Sequence, residues 1–132
     1  INVYQTDVYH IGRFFIDTIS KYNTDDASTE IWTYSTQDDS DSTTRNPYTL
    51  VSLSAEKAYL IRYGSDKVWI VNPQATDFEN FKTGEIDLTS YVPENNTAGT
   101  PSPSAAVISG DKLFVVMQRL DDNFSSTNAV YL

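Results

Sequence analysis

Apolar and polar positions along this chain fall in short bursts of strand length, and runs of helix formers at helical spacing are missing. Tyr48 to Ser54, Lys57 to Tyr63, Lys67 to Asn72 and Gly84 to Tyr91 read as four successive strands. Ala55-Glu56 and Gly64-Ser65-Asp66 supply the turns between them, and Pro73 and Pro93 stop the third and fourth strands. Three segments are continuously apolar: Ala58-Tyr59-Leu60-Ile61, Val68-Trp69-Ile70-Val71 and Leu113-Phe114-Val115-Val116-Met117. Strands of that kind need cover on both faces. Ile86-Asp87-Leu88-Thr89 alternates instead, as a half-exposed outer strand does.

The pattern repeats. Leu53-Ser54-Ala55-Glu56-Lys57-Ala58-Tyr59-Leu60-Ile61 aligns with Ile108-Ser109-Gly110-Asp111-Lys112-Leu113-Phe114-Val115-Val116 at an offset of 55 residues, and Glu30-Ile31 falls on Glu85-Ile86 at the same offset. A looser copy lies upstream, where Val8-Tyr9-His10-Ile11 matches Ala58-Tyr59-Leu60-Ile61 and Asp17-Thr18-Ile19-Ser20 matches Asp66-Lys67-Val68-Trp69. A period of about 50 residues with four strands per unit predicts an all-β fold of β-propeller blades, each of four antiparallel strands. About two and a half blades are then present: residues 1–35 end one blade with its last three strands, 46–91 form a complete blade, and 101–132 begin the next. A sandwich or small barrel also has short strands at such spacing, but has no need of a 55-residue repeat that preserves its turns.

An open arc of blades leaves an apolar face bare at each end, so the expected partners are the remaining blades, from the same protein or another copy. The chain opens on Ile1, lacks a basic-then-apolar leader and reads as a portion of something longer.

Charge narrows the partners. Eighteen acidic against nine basic residues give a net charge of -9, which disfavours nucleic acid and anionic membranes. No apolar run approaches the roughly 20 residues of a membrane span. With no cysteine there is neither a disulfide frame nor a thiolate metal site.

Asn46-Pro47-Tyr48, Lys57-Ala58-Tyr59-Leu60, Lys67-Val68-Trp69-Ile70-Val71-Asn72-Pro73 and Thr83-Gly84-Glu85-Ile86 together resemble the YVTN-type repeats of bacterial surface propellers, as does Gly110 through Leu120. The resemblance covers most of residues 7–132; Asn72 departs from it where the family usually has Asp, as does the acidic insertion at Asp38 to Asp41. It implies a secreted, periplasmic or cell-surface protein, in some cases lipoprotein-anchored, and a role in binding or interaction without catalysis. A propeller-type hydrolase or lactonase with axis-facing groups, and a structural surface-assembly protein, are the alternatives.

Candidate site residues follow from blade geometry. The loops leading into first strands, Thr36 to Asn46 and Val92 to Pro103, are long and share one end with the loops leaving second strands. Function concentrates on such faces. Arg13, Arg62, Tyr63, Gln118 and Arg119 occupy that end and are the candidates for holding a protein, a glycan or a small anion, the arginines by paired hydrogen bonds to carboxylate or phosphate. Pairing with local acids such as Asp66 or Asp121 is the plainer role for them. Asp38, Asp39 and Asp41, with Asp25 and Asp26 nearby, are candidates for calcium, although the spacing does not match an EF-hand and a solvated acidic loop is the plainer reading. No other cofactor is expected. His10, the only histidine, has no nucleophile motif beside it. Trp32, Tyr34, Tyr63 and Trp69 offer rings for sugars or for packing between blades, and Asn95-Asn96-Thr97 and Asn123-Phe124-Ser125 match the glycosylation triplet.

Overall fold

A computed structural model describes residues 1–38, 42–127 and the backbone of 130–131. The chain is all-β and forms three antiparallel sheets in sequence order, none of them closed. The first holds β1 (Asn2–Tyr4), β2 (Asp7–Gly12), β3 (Thr18–Asn23) and β4 (Trp32–Ser35). The second holds β5 (Pro47–Ser54), β6 (Lys57–Arg62), β7 (Lys67–Val71) and β8 (Lys82–Asp87). The third holds β9 (Pro103–Ser109), β10 (Lys112–Met117) and β11 (Val130–Tyr131). Within each sheet every strand pairs with the next in the chain.

The first sheet has four strands where the repeat implied three. Asn2 pairs with Tyr9 and Tyr4 with Asp7 across the two-residue turn Gln5-Thr6. Ala55-Glu56 and Gly110-Asp111 occupy the same place in the other sheets, and Gly110 takes φ +59°, a left-handed turn conformation that costs glycine little. The helix α1 (Phe78–Phe81), between β7 and β8, is an addition to the sequence reading. Asp77 caps it by accepting the Asn80 N–H at 2.8 Å.

The middle sheet is apolar on both faces because both are covered. Ala58, Leu60, Trp69 and Val71 point to the first sheet and meet Tyr9, Ile19, Trp32 and Phe81. Ile61 and Val68, with Tyr59 and Ile86 beside them, meet Val115 and Met117 of the third sheet. Backbone approach between sheets is concentrated at their first two strands, β1 and β2 with β5, and β5 and β6 with β9. Toward β4 the gap between the first two sheets is filled by large rings. Trp32 stacks on Tyr34 at 4.7 Å between centroids, and Phe81 lies 5.1 Å from Trp32 and 4.6 Å from Tyr34. Narrow at the first strands and wide at the last, this pair of sheets opens like a fan.

Polar staples hold the fan. Lys21, buried, donates from Nζ to Pro73 O (3.2 Å) and Gln74 Oε1 (3.1 Å) and pairs with Asp7 at 3.2 Å. Trp32 Nε1 donates to Pro73 O and the Tyr34 hydroxyl to Ala75 O. Asn2 ties β1 to β5, donating to Thr49 Oγ1 and accepting from Leu50 N.

One facing pattern recurs through the stack. Tyr9 turns from the first sheet toward the second, with Ile11 packed against the same core, and Tyr59 and Ile61 turn from the second toward the third. The aligned pair in the third sheet is Phe114 and Val116, on the side away from the second; Phe114 and Val107, its β9 partner, are exposed there. At the other end, Ile1, Val8, His10, Tyr22 and Ala27 line a groove on the outer side of the first sheet.

Candidate functional site

The loops at one end of the three sheets are sewn to one another. Asp17, buried at the end of the first sheet, accepts the backbone N–H groups of Arg45 (2.8 Å) and Asn46 (2.7 Å) in the loop that leads into β5. Asn46 Oδ1 accepts Phe14 N, and Thr44 Oγ1 accepts Phe15 N. The loop leading into β9 is anchored in the same manner to the second sheet. Thr100 donates from Oγ1 to Tyr63 O at 2.6 Å, with Ser65 O at 3.1 Å. It is also tied within its own sheet, where Asn96 donates to Leu120 O and Asp122 accepts the Thr97 N–H.

Two equivalent kinks shape this end. Asn46 (φ +46°) and Ser102 (φ +56°) each precede the proline that starts a first strand, and each offers its carbonyl to the residue just past the second strand, Tyr63 and Gln118 respectively, at 2.9 Å. Left-handed backbone at non-glycine residues persists only where surrounding bonds enforce it, and it gathers at functional sites. Gly64 completes the junction. It donates to Arg45 O at 2.8 Å, and a Cβ there would stand 2.9 Å from Thr44 O.

Between these loops lies a cavity of about 460 Å³. Phe14 and Tyr63 line it from the first two sheets, Asn46 and Gly64 line it at their junction, and Asn96, Asp121, Asp122 and Phe124 line it from the third. Phe14 is 59% exposed and Phe124 79% exposed, so two rings that burial would favour are left facing water. Phe124 also holds φ +57°.

Three of the five residues expected on this face join one ladder. The Arg13 guanidinium lies 3.6 Å above the Tyr48 ring, Tyr48 stacks on Tyr63 (4.6 Å, 14° between planes), and the Tyr63 hydroxyl donates to Gln118 Oε1 at 2.9 Å. The ladder therefore crosses all three sheets. Burial raises the Tyr63 hydroxyl above its usual pKa, with Ser102 opposing the shift by a hydrogen bond.

The other two arginines go elsewhere. Arg62 is fully buried on the side of β6 that faces the first sheet. It donates to Thr36 O, Asp38 Oδ1 and Ser65 Oγ at 3.0 Å each and to Lys67 O at 3.3 Å, and its guanidinium lies 4.2 Å over the Trp69 ring. Burial lowers its pKa, and Asp38 works against that. These contacts make Arg62 a bolt between the loop after β4 and the second sheet, not a ligand group on the open face. Arg119 (φ +49°) donates from Nε to Tyr91 O at 2.8 Å. The three arginines are thus held by three different sets of partners and do not converge.

Of the calcium candidates, Asp38 gives one oxygen to Arg62 (3.0 Å) and the other to Arg45 (2.9 Å). Asp39 and Asp41 lie outside the described residues. Among the described residues no group of three or more His, Asp or Glu is placed to hold a metal ion. His10 is exposed on the outer side of the first sheet. Trp32 and Trp69 are buried between the first two sheets with Tyr34 half-buried beside them, leaving Tyr63 as the one ring of the four sugar candidates that lines the cavity. Asn95 and Asn123, the acceptors of the two triplets, are exposed.

Sequence reasoning did not place Phe14, Tyr48, Asn96 or Phe124 at this site, although Asn96 and Phe124 fall within the two glycosylation triplets. The signal for the first was available: Phe14-Phe15-Ile16 is an apolar triplet in a turn between strands, with no strand to bury it. Among the described residues, no helix is long and apolar enough to cross a membrane. No protein-family model matches the chain, and no curated protein matches it in sequence.

Proposed function

We propose that this chain is a non-catalytic binding module, that its three sheets are successive blades of a β-propeller displayed outside the cell, and that its ligand occupies the cavity at the looped end. The cavity itself carries this reading. Five loops from three sheets converge on about 460 Å³, a volume in the range of ligand sites, and enclose it with rings and short polar side chains. The left-handed residues Asn46, Ser102 and Phe124 on its wall add to the case.

The blade reading rests on the fan and on the recurring face. Phe114 and Val116 stand where Tyr59 and Ile61 stand one repeat earlier, and the earlier pair is covered by the next sheet. Further sheets of the same repeat, from the same polypeptide or from another copy, are the partners that fit the outer sides of the first and third sheets.

A fragment screen followed by amide chemical shifts tests the binding reading. Ligands should perturb Phe14, Asn46, Tyr63 and Asn96 together, and Ala98→Trp, which fills the cavity from an exposed wall position, should abolish binding with little change in Tm. Perturbations scattered over the sheets, or binding untouched by Ala98→Trp, would remove the site.

A further inference from the structure

The walls of the cavity are charged in one sense only. Asp121 and Asp122 are its acidic lining residues, and among the described residues no Lys, Arg or His lines it. Each carboxylate already has one oxygen occupied by its surroundings. Asp121 Oδ1 accepts Asn123 N and Ser125 N at 2.9 Å, and Asp122 Oδ1 accepts Thr97 N (2.8 Å) and Thr97 Oγ1 (3.1 Å). These bonds fix both side chains and leave Oδ2 of each without a protein donor among the described residues.

The nearest guanidinium groups along the chain are turned to other partners. Arg13, next to Phe14, lies over Tyr48; Arg45, next to Asn46, pairs with Asp38 and reaches Gly64 O only at 3.5 Å; and Arg119, next to Leu120, donates from Nε to Tyr91 O at 2.8 Å. Among the described residues, the lining of the cavity holds three aromatic residues, Phe14, Tyr63 and Phe124, and two acidic ones, Asp121 and Asp122, with no basic residue. The face of an aromatic ring attracts a cation, and an apolar wall strengthens a nearby carboxylate's pull on one. An anion would meet repulsion here.

From this charge complementarity we infer that the cavity takes an organic cation, an alkylammonium or guanidinium group, against the rings of Phe14, Tyr63 and Phe124 with Asp121 and Asp122 as counter-charges. The inference rests on the binding-module reading and names its ligand class. Such a group arrives either as a free small molecule or as the end of a lysine or arginine side chain on a partner protein. The net charge of -9 draws either one in.

Titration of the intact chain with matched probes, read by amide shifts and calorimetry, separates the outcomes. Tetramethylammonium and the N-acetyl methylamides of lysine and arginine are compared with the neutral neopentyl alcohol and N-acetyl-norleucine methylamide, and with methyl glucoside. The cations should bind at least about tenfold tighter than their neutral matches, and weaken severalfold between about 20 and about 200 mM salt. Stronger binding of the amino-acid probes than of tetramethylammonium would point to a side chain as the source; the reverse would point to a free cation. Asp121→Asn with Asp122→Asn should cost about tenfold in affinity for cations alone, because asparagine keeps the Oδ1 acceptor that orders each loop. Phe124→Leu, at an exposed tip, serves as a second variant and should weaken the cations severalfold. If the neutral probes or the glucoside bind as well as the cations, the charge inference is overturned while the binding module stands. If no probe and no fragment perturbs the cavity, both fail.

Discussion

Replacing Arg62 with alanine should destabilise the chain severely while leaving the looped end able to bind. Thr36 O, Asp38 Oδ1 and Lys67 O would lose the guanidinium as donor, and Ser65 Oγ would keep only the Lys67 N–H at 3.0 Å. Asp38 is one-third exposed, so water replaces that partner and the ion pair itself contributes about 1 kcal/mol or less. The contacts to Thr36 O and Ser65 Oγ are buried; Ser65 Oγ keeps the Lys67 N–H, and leaving the buried Thr36 carbonyl without this donor costs about 1–3 kcal/mol. Loss of the guanidinium from the Trp69 ring adds about 1 kcal/mol and a void. Together these give about 3–5 kcal/mol, or a fall in Tm of about 10–20 °C for a chain of this size. Urea unfolding of wild type, Arg62→Ala and Arg62→Lys, with a double-mutant cycle through Asp38→Asn, measures each part. Lysine should recover less than half of the loss, since it keeps the charge without the planar fork. A loss below about 1 kcal/mol for alanine, or one that vanishes at high salt, would show Arg62 to be an ordinary surface cation and refute the bolt.

Asp17 gives a sharper contrast. Its Oδ1 serves two backbone N–H groups while its buried Oδ2 has no hydrogen-bond partner among the described residues, and its φ of +51° suits asparagine. Asp17→Asn should therefore match or exceed wild-type stability, and Asp17→Ala should lose about 2–3 kcal/mol in the same urea assay. Gly64→Ala, which drives a Cβ against the Thr44 carbonyl, should cost about 1–3 kcal/mol and broaden the amide signals of Arg45 and Asn46. Hydrogen bonds from Thr89, with Lys67 beside them, hold the Asp87 carboxyl at about 2, below its ordinary 3.8. A lowered folded-state pKa adds stability above the unfolded value that is lost as pH falls from about 4 toward 2, so Asp87→Asn should flatten the urea midpoint across that window and leave it unchanged in slope near pH 7. Phe114→Ser with Val107→Ser should leave Tm within a few degrees and reduce self-association in sedimentation; unchanged association would argue against that side as a docking face.

The strands were legible because their punctuation is chemical. Ala55-Glu56, Gly64-Ser65-Asp66 and Pro73 bracket apolar runs, and β5, β6 and β7 begin or end within a residue or two of those marks. The helix at Phe78–Phe81 was not legible. Four residues are too few to show a period, and its two phenylalanines are explained only by the ring cluster they fill. β1 was missed for a related reason, since a three-residue strand carries almost no alternation. The end of the sheets where the cavity lies followed from strand direction and loop length. Its chemistry did not, because position along the chain does not say which way an arginine turns. Arg13 lies just past β2 whereas Arg62 is the last residue of β6, one step apart in register, so one lies on a tyrosine at the surface and the other beneath the loop after β4.

The middle sheet owns neither of its hydrophobic covers. Ala58, Leu60, Trp69 and Val71 are shielded by the sheet before, Ile61 and Val68 by the sheet after, so this segment has no reason to persist alone. Loss of order must then start at the outermost sheets and travel inward, like a row of books falling once the bookend is removed. Amide hydrogen exchange would register that sequence directly, fastest in β1, β2 and β9 and slowest in β6 and β7.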